Sequence, residues 1–162
     1  MNIAKLFGMQ NVLDHHIESE HPRQKGESRH HEKVLALLVE LGELANETRC
    51  FKFWSHKPPS ERKVILEEFS DGVHFLLSIG LENEIKEFKI APDKKESLKE
   101  QFIGLFNSFS VLSISFSVKS YSAAWSAYVG LGEMLGFSWD EVEAAYIQKN
   151  EKNHKRQDSG VY

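Results

Sequence analysis

Cysteine is almost missing from this chain. Cys50 stands alone among 162 residues, so no internal disulfide can form, and this fits a reducing compartment such as the cytoplasm. Long apolar runs are missing too: no stretch stays free of polar residues for the roughly 18 positions that a membrane span requires. The opening residues MNIAKLFGMQ lack both the apolar stretch and the small-residue cleavage site of a secretory signal. Positive charge is in deficit, with 20 Lys and Arg against 24 Asp and Glu and a net charge of −4. That argues against a partner such as a nucleic-acid polymer, whose binders blanket phosphates with basic side chains. Also absent are a Gly-rich phosphate loop, G-x-S-x-G and C-x-x-C. His31-Glu32 is followed by Lys33, Val34 and Leu35, so the H-E-x-x-H zinc motif is lacking as well.

Proline and glycine are sparse, four and ten, and they leave long stretches whose apolar spacing is helical. An all-α helical bundle of about five to six helices in a single domain (1–162) is expected. Helices are predicted over about 2–17, 32–50, 60–80, from 97, over about 120–135, and from 138. Pro58-Pro59 stops anything helical before Ser60, which can cap the third helix. Ser138 and Glu141 form an S-x-x-E capping box. Residues 108–118, SFSVLSISFSV, alternate serine with apolar side chains at period two, a strand signature that is weighed below the helical pattern around it. Residues 149–162 form a basic C-terminal segment, expected to be mobile in the absence of a ligand.

Two pairs of acids carry the chemistry. Glu40 and Glu43 lie three apart on the second helix, with Glu47 four further on, so like charges share one side of the helix, where they repel. A solvated acidic face would explain them. The segment VILEEFSDGVHFLLSIGL (64–81) allows less latitude, because it is apolar nearly all round and should be buried nearly all round. Glu68 and Asp71 sit within it with no lysine or arginine in the same segment. A buried carboxylate without a partner must shift its pKa, pair, or bind a cation. Carboxylate pairs on two antiparallel helices are how bundles build oxygen-rich metal sites. Such a cluster, without His or Cys, favours Mg²⁺ or Mn²⁺ over Zn²⁺.

The order ExxE (40–43) with FKFW (51–54), ExxD (68–71) with GVHF (72–75), and KNEKNHKRQ (149–157), together with an early Gln10 in LFGMQNVLD, resembles the dimeric dUTPases. These belong to the superfamily of all-α nucleoside triphosphate pyrophosphohydrolases that includes the MazG-type enzymes. The resemblance covers most of the chain, residues 82–120 excepted. It implies hydrolysis of dUTP, and of dUDP, to dUMP with release of pyrophosphate or phosphate, in a homodimer. It implies two or three Mg²⁺ ions, for which Mn²⁺ can substitute, held by Glu40, Glu43, Glu68 and Asp71, with Glu40 or Glu43 taking a proton from the attacking water. Lys149, Asn153, Arg156 and Tyr162 are implied at the phosphates. Gln10, Asp14 and Trp54 are implied around the uracil, with His74 and Asn150 near the deoxyribose; Asp14 stands where relatives often carry an amide. Two alternatives stay open: a pyrophosphohydrolase for another nucleotide, such as a dCTPase or a broad housecleaning enzyme, and a non-catalytic helical dimerisation or regulatory module.

Overall fold

The computed structural model describes residues 2–160. Six α-helices and no strand occur among them: α1 Ile3–Glu20, α2 His30–Thr48, α3 Arg62–Glu82, α4 Leu98–Ile114, α5 Val118–Met134 and α6 Trp139–Ser159. No helix among the described residues is long and apolar enough to cross a membrane. The starts follow local chemistry. The side chains of Asn2, Ser97, Ser117 and Ser138 accept from the backbone N–H three residues on, satisfying a donor that a helix end leaves unpaired.

The Ser60 cap and the start of the fifth helix differ from expectation. Ser60 does not cap α3; Glu61 occupies the N-cap position without a side-chain cap bond, because the Ser60 hydroxyl donates instead to Glu47. The period-two stretch follows the helical pattern weighed above its strand signature. It is the end of α4 and a short bend, in which Ser110 donates to the Phe106 carbonyl one turn back at 2.7 Å. The helix after it starts at Val118, and Ser120 serves as the third residue of the Ser117 capping box.

Helix α3 is the axis of the bundle and packs on α1, α2, α5 and α6. Its lack of a polar face explains this, since residues 69–74 and 76–80 are all buried. Two tyrosines of α5 lock onto it. The Tyr128 hydroxyl donates to the Phe69 carbonyl at 2.8 Å while its ring stacks on Phe69 with centroids 4.4 Å apart, and Tyr121 donates to the Leu76 carbonyl at 2.7 Å. Glycine permits both approaches, because a Cβ at Gly72 or Gly80 would stand where the Tyr128 or Tyr121 hydroxyl lies. The connector before α4 is laid along α5: the Asp93 backbone N–H donates to the Ser126 carbonyl at 3.0 Å, and the Gln101 side-chain amide donates to the Asp93 and Ala127 carbonyls at 2.8 and 2.7 Å. Buried residues of all six helices join in one apolar cluster.

Helix α6 closes the bundle by returning to α1 and α3. Lys5 pairs with Glu143 at 2.6 Å, and the buried Tyr146 hydroxyl donates to Gln10 at 2.9 Å. The segment 149–159 is therefore the second half of α6, with Asn150 and Gln157 buried.

Candidate active site

A cavity of about 400 Å³ opens between α1, α2, α3 and α6, lined at one end by Glu40, Asp71 and Lys149 and at the other by Asp14, Lys33 and Ser78. Periodicity on α3 explains this lining. Asp71, His74, Phe75 and Ser78 fall three to four residues apart, and Glu40, Ala36 and Lys33 do the same on antiparallel α2. At ~1.5 Å per residue, the seven residues from Asp71 to Ser78 separate the two ends by about 10 Å. Leu13, Ile17, Ala36 and Phe75 give the wall between them an apolar surface.

At the acidic end, Glu40, Glu68 and Asp71 each bring a carboxylate oxygen within 4.8 Å of the others. Glu43, exposed one turn along α2, lies outside this trio but acts electrostatically on Glu40 and Glu68. Burial pushes the Glu40 carboxyl up to about 7, with the negative charges of Asp71, Glu43 and Glu68 adding to it. Glu68 is raised by burial and then by Asp71 and Glu43. Asp71 is raised by burial too, against a hydrogen bond from Lys149 that pulls it back. That bond, 2.5 Å from Lys149 Nζ to Asp71 Oδ2, brings the positive charge that residues 64–81 lack; Glu67 lies 3.6 Å from the same ammonium. Burial, the largest single effect, would lower the Lys149 ammonium, but its bond to Asp71 and the charges of Asp71 and Glu67 together leave it raised.

A pH dependence follows. With Glu40 at about 7 when folded and near 4.5 when unfolded, the ion-free folded protein binds more protons between these values, so its stability falls as pH rises through that window. Melting temperatures of the EDTA-treated protein are expected to drop between pH 5 and pH 8. Glu40→Gln is expected to flatten that slope; an unchanged slope would remove Glu40 as its source.

The middle of the cavity holds a buried polar chain. Gln10 Nε2 donates to Asp14 Oδ1 at 2.7 Å, which fixes the amide so that Gln10 Oε1 accepts from Tyr146 at 2.9 Å and faces His74 Nδ1 at 2.8 Å. His74 Nδ1 therefore carries the hydrogen. Burial pushes the His74 imidazole down to about 3, so the ring is neutral, and it stacks on Tyr146 with centroids 3.9 Å apart. Its Nε2 is an acceptor without a partner among the described residues, as the Asn150 Nδ2 is a donor without one.

Of the residues expected at the site, Gln10, Asp14, Glu40, Asp71, His74, Lys149, Asn153 and Arg156 line this one cavity. Glu68 joins through the acidic trio. Asn150 is buried behind it. Trp54 is not brought in: it is 64% exposed on the connection between α2 and α3, edge-on to Phe53 and Phe51. Tyr162 lies outside the described residues. Sequence reasoning missed Lys33, Ser78 and Phe75 in the lining, although Lys33 is seven residues before Glu40 and Ser78 seven after Asp71, spacings that put each on the face of its known neighbour.

A search of curated proteins returned no match. The dUTPase family profile, in contrast, matches residues 2–161. With that match spanning nearly the whole of an all-helical chain, and the acidic trio and cation-lined cavity inside it, the chain belongs to the dUTPase family and is a dUTP diphosphatase.

Proposed function

We propose that the enzyme hydrolyses dUTP to dUMP and pyrophosphate, and dUDP to dUMP and phosphate, in a Mg²⁺-dependent reaction at this cavity. The observation that carries the reading is the trio of Glu40, Glu68 and Asp71, three carboxylates with raised pKa values gathered within 4.8 Å and met by one ammonium, Lys149. An oxygen-only donor set with surplus negative charge fits a hard divalent cation. Glu40, Glu68 and Asp71 would hold it, with Glu43 beside them. Bound there, such an ion supplies charge that neutralises the polyphosphate and makes water acidic enough to deprotonate near neutral pH.

The chain's own groups do the rest. One oxygen of Glu40 or Glu43 accepts the proton of the water that attacks the α-phosphorus. The bond from that phosphorus to the bridging oxygen breaks, and pyrophosphate departs with the electron pair. Lys149, Asn153 and Arg156 lie at helical spacing along α6 and line the cavity, so they present donors to the phosphates. Lys149 balances Asp71 in the ion-free site and can turn to an incoming phosphate. The neutral His74, with its unpaired Nε2 acceptor, can receive the sugar's 3′-hydroxyl, while Gln10 and Asp14 face the base. Trp54 reaches the base by movement of its connection or from a second protomer.

A homodimer is supported by apolar side chains left exposed on adjacent helices, Leu35 and Val39 on α2 and Ile103, Val111 and Ile114 on α4. The single unpaired cysteine fits a cytoplasmic setting.

Product analysis tests the reading. With Mg²⁺ and dUTP, pyrophosphate and dUMP should appear in equal amounts. EDTA should abolish both, and Mn²⁺ should restore them. Stepwise release of phosphate through dUDP would place the attack elsewhere and refute the α-phosphorus assignment.

A further inference from the structure

At the end of the cavity away from the acidic trio, Asp14 is surrounded by donors. Oδ1 receives Gln10 at 2.7 Å; Oδ2 receives the Ser78 hydroxyl at 2.6 Å and lies 3.4 Å from Lys33 Nζ. Lys33 is in turn 2.9 Å from Glu82 Oε2, and Glu82 is clamped by the Arg23 guanidinium through two bonds of 2.7 Å and by the Arg29 backbone N–H at 3.1 Å. The Arg23 bonds lead the effects that hold the Glu82 carboxyl far below the usual range. The Asp14 and Lys33 side chains are each only 15% exposed, yet both line the cavity.

We propose that Lys33 is a specificity-determining residue, which with Asp14 reads the imide edge of the base. The inference rests on the dUTP reading above. Uracil's N3–H is a donor flanked by two carbonyl acceptors, so its reader must set an acceptor beside a donor. A carboxylate only accepts, so Asp14 can take N3–H but leaves the neighbouring carbonyl unmet. The donors that stand beside Asp14 are its own partners, Gln10, Ser78 and Lys33. Ser78 has a single O–H, and Asp14 takes it. Gln10 is 3% exposed, with its amide committed to Asp14, His74 and Tyr146. Lys33 has three N–H groups and two carboxylate partners, so one N–H remains for a carbonyl of the base. The Arg23 clamp on Glu82 fixes where that ammonium stands. Cytosine reverses the pattern, setting a lone pair at N3 against the Asp14 carboxylate and an amino group against Lys33.

The inference carries a signature that a merely structural lysine would not. Thymine and uracil share the imide edge, and dUTP and UTP share the base. Removing the Lys33 donor should therefore change discrimination against cytosine alone. The test compares wild type, Lys33→Met, Lys33→Arg and the double variant Asp14→Asn/Lys33→Met, with kcat/KM measured for dUTP, dCTP, dTTP and UTP, and folding checked by circular dichroism. Lys33→Met is expected to lose about ten- to hundredfold in kcat/KM for dUTP, mostly in KM, as for one lost hydrogen bond to a charged donor. The ratio of dUTP to dCTP should shrink by a similar factor, with the ratios to dTTP and UTP unchanged. Lys33→Arg should recover much of the loss, and so should the double variant, because an asparagine supplies acceptor and donor together. Equal losses on all four nucleotides, or an unchanged dUTP to dCTP ratio, would overturn the assignment. A wild type with no preference for dUTP would instead refute the substrate reading itself.

Discussion

Asp71→Ala and Glu68→Ala are each expected to reduce Mg²⁺-dependent dUTP turnover by about 10³-fold or more, the scale of the several kcal/mol that a positioned divalent ion contributes to the transition state. Both carboxylates belong to the trio within 4.8 Å, so either deletion removes one of the few oxygen donors. Their effects on ion-free stability should diverge. Glu68 forms no ion pair among the described residues, and its carboxyl is raised by burial and its acidic neighbours, which outweigh the charge of Lys149, so its removal relieves repulsion. Asp71 is different, because its loss strands the Lys149 ammonium 2.5 Å away, leaving only Glu67 nearby. In EDTA, the Glu68 variant should melt at or above the wild-type temperature and the Asp71 variant below it. Saturating Mg²⁺ should raise the melting temperature of wild type far more than that of either variant, by ordinary linkage. Near-normal turnover in one of them would take that residue out of the site. A lower melting temperature for both in EDTA would show that the trio is held together by something other than an ion.

The second large effect is substrate choice. The expected order at fixed Mg²⁺ is dUTP far ahead of dTTP, UTP and dCTP in kcat/KM. Cytosine should fall furthest, by about 10⁴-fold, because a site built to hydrogen-bond one pattern rejects the inverse by leaving buried groups mispaired. Thymine adds a methyl group and UTP a 2′-hydroxyl, and exclusion of such small additions is worth about 10²-fold each. On the proposed reading, the neutral His74 beside Tyr146 would give the sugar a flat, buried neighbour. Parity of dCTP with dUTP would leave pyrophosphohydrolysis standing while removing Gln10 and Asp14 as readers of uracil.

The acidic half of the site was legible in the sequence, because carboxylates three apart in segments that must be buried demand a cation, and helical spacing tells which of them share a face. The helices were legible for the same reason. What escaped was anything decided between helices. Lys149 was expected at the phosphates and is found against Asp71, a pairing 78 residues apart that no local pattern reports. Lys33 carried no local signal, since only the packing of α3 against α2 brings Glu82 to it and only α1 brings Asp14. Ser60 looked like a cap because the competing bond to Glu47 comes from the preceding helix. The serines of 108–118 gave a strand signature beside the favoured helical one because serine on a helix can bond the carbonyl one turn back and so tolerates an alternating pattern.

The return of α6 onto α1 also bears on how the enzyme folds. Contacts such as Lys5 with Glu143 and Gln10 with Tyr146 join residues 138 and 136 positions apart. Until they form, the acidic trio stands without Lys149, Gln10 stands without Tyr146, and the cavity lacks the wall that α6 provides. Closing so wide a loop is slow compared with pairing neighbouring helices, so docking of α6 is expected late in folding, and the cavity is complete only once it has docked.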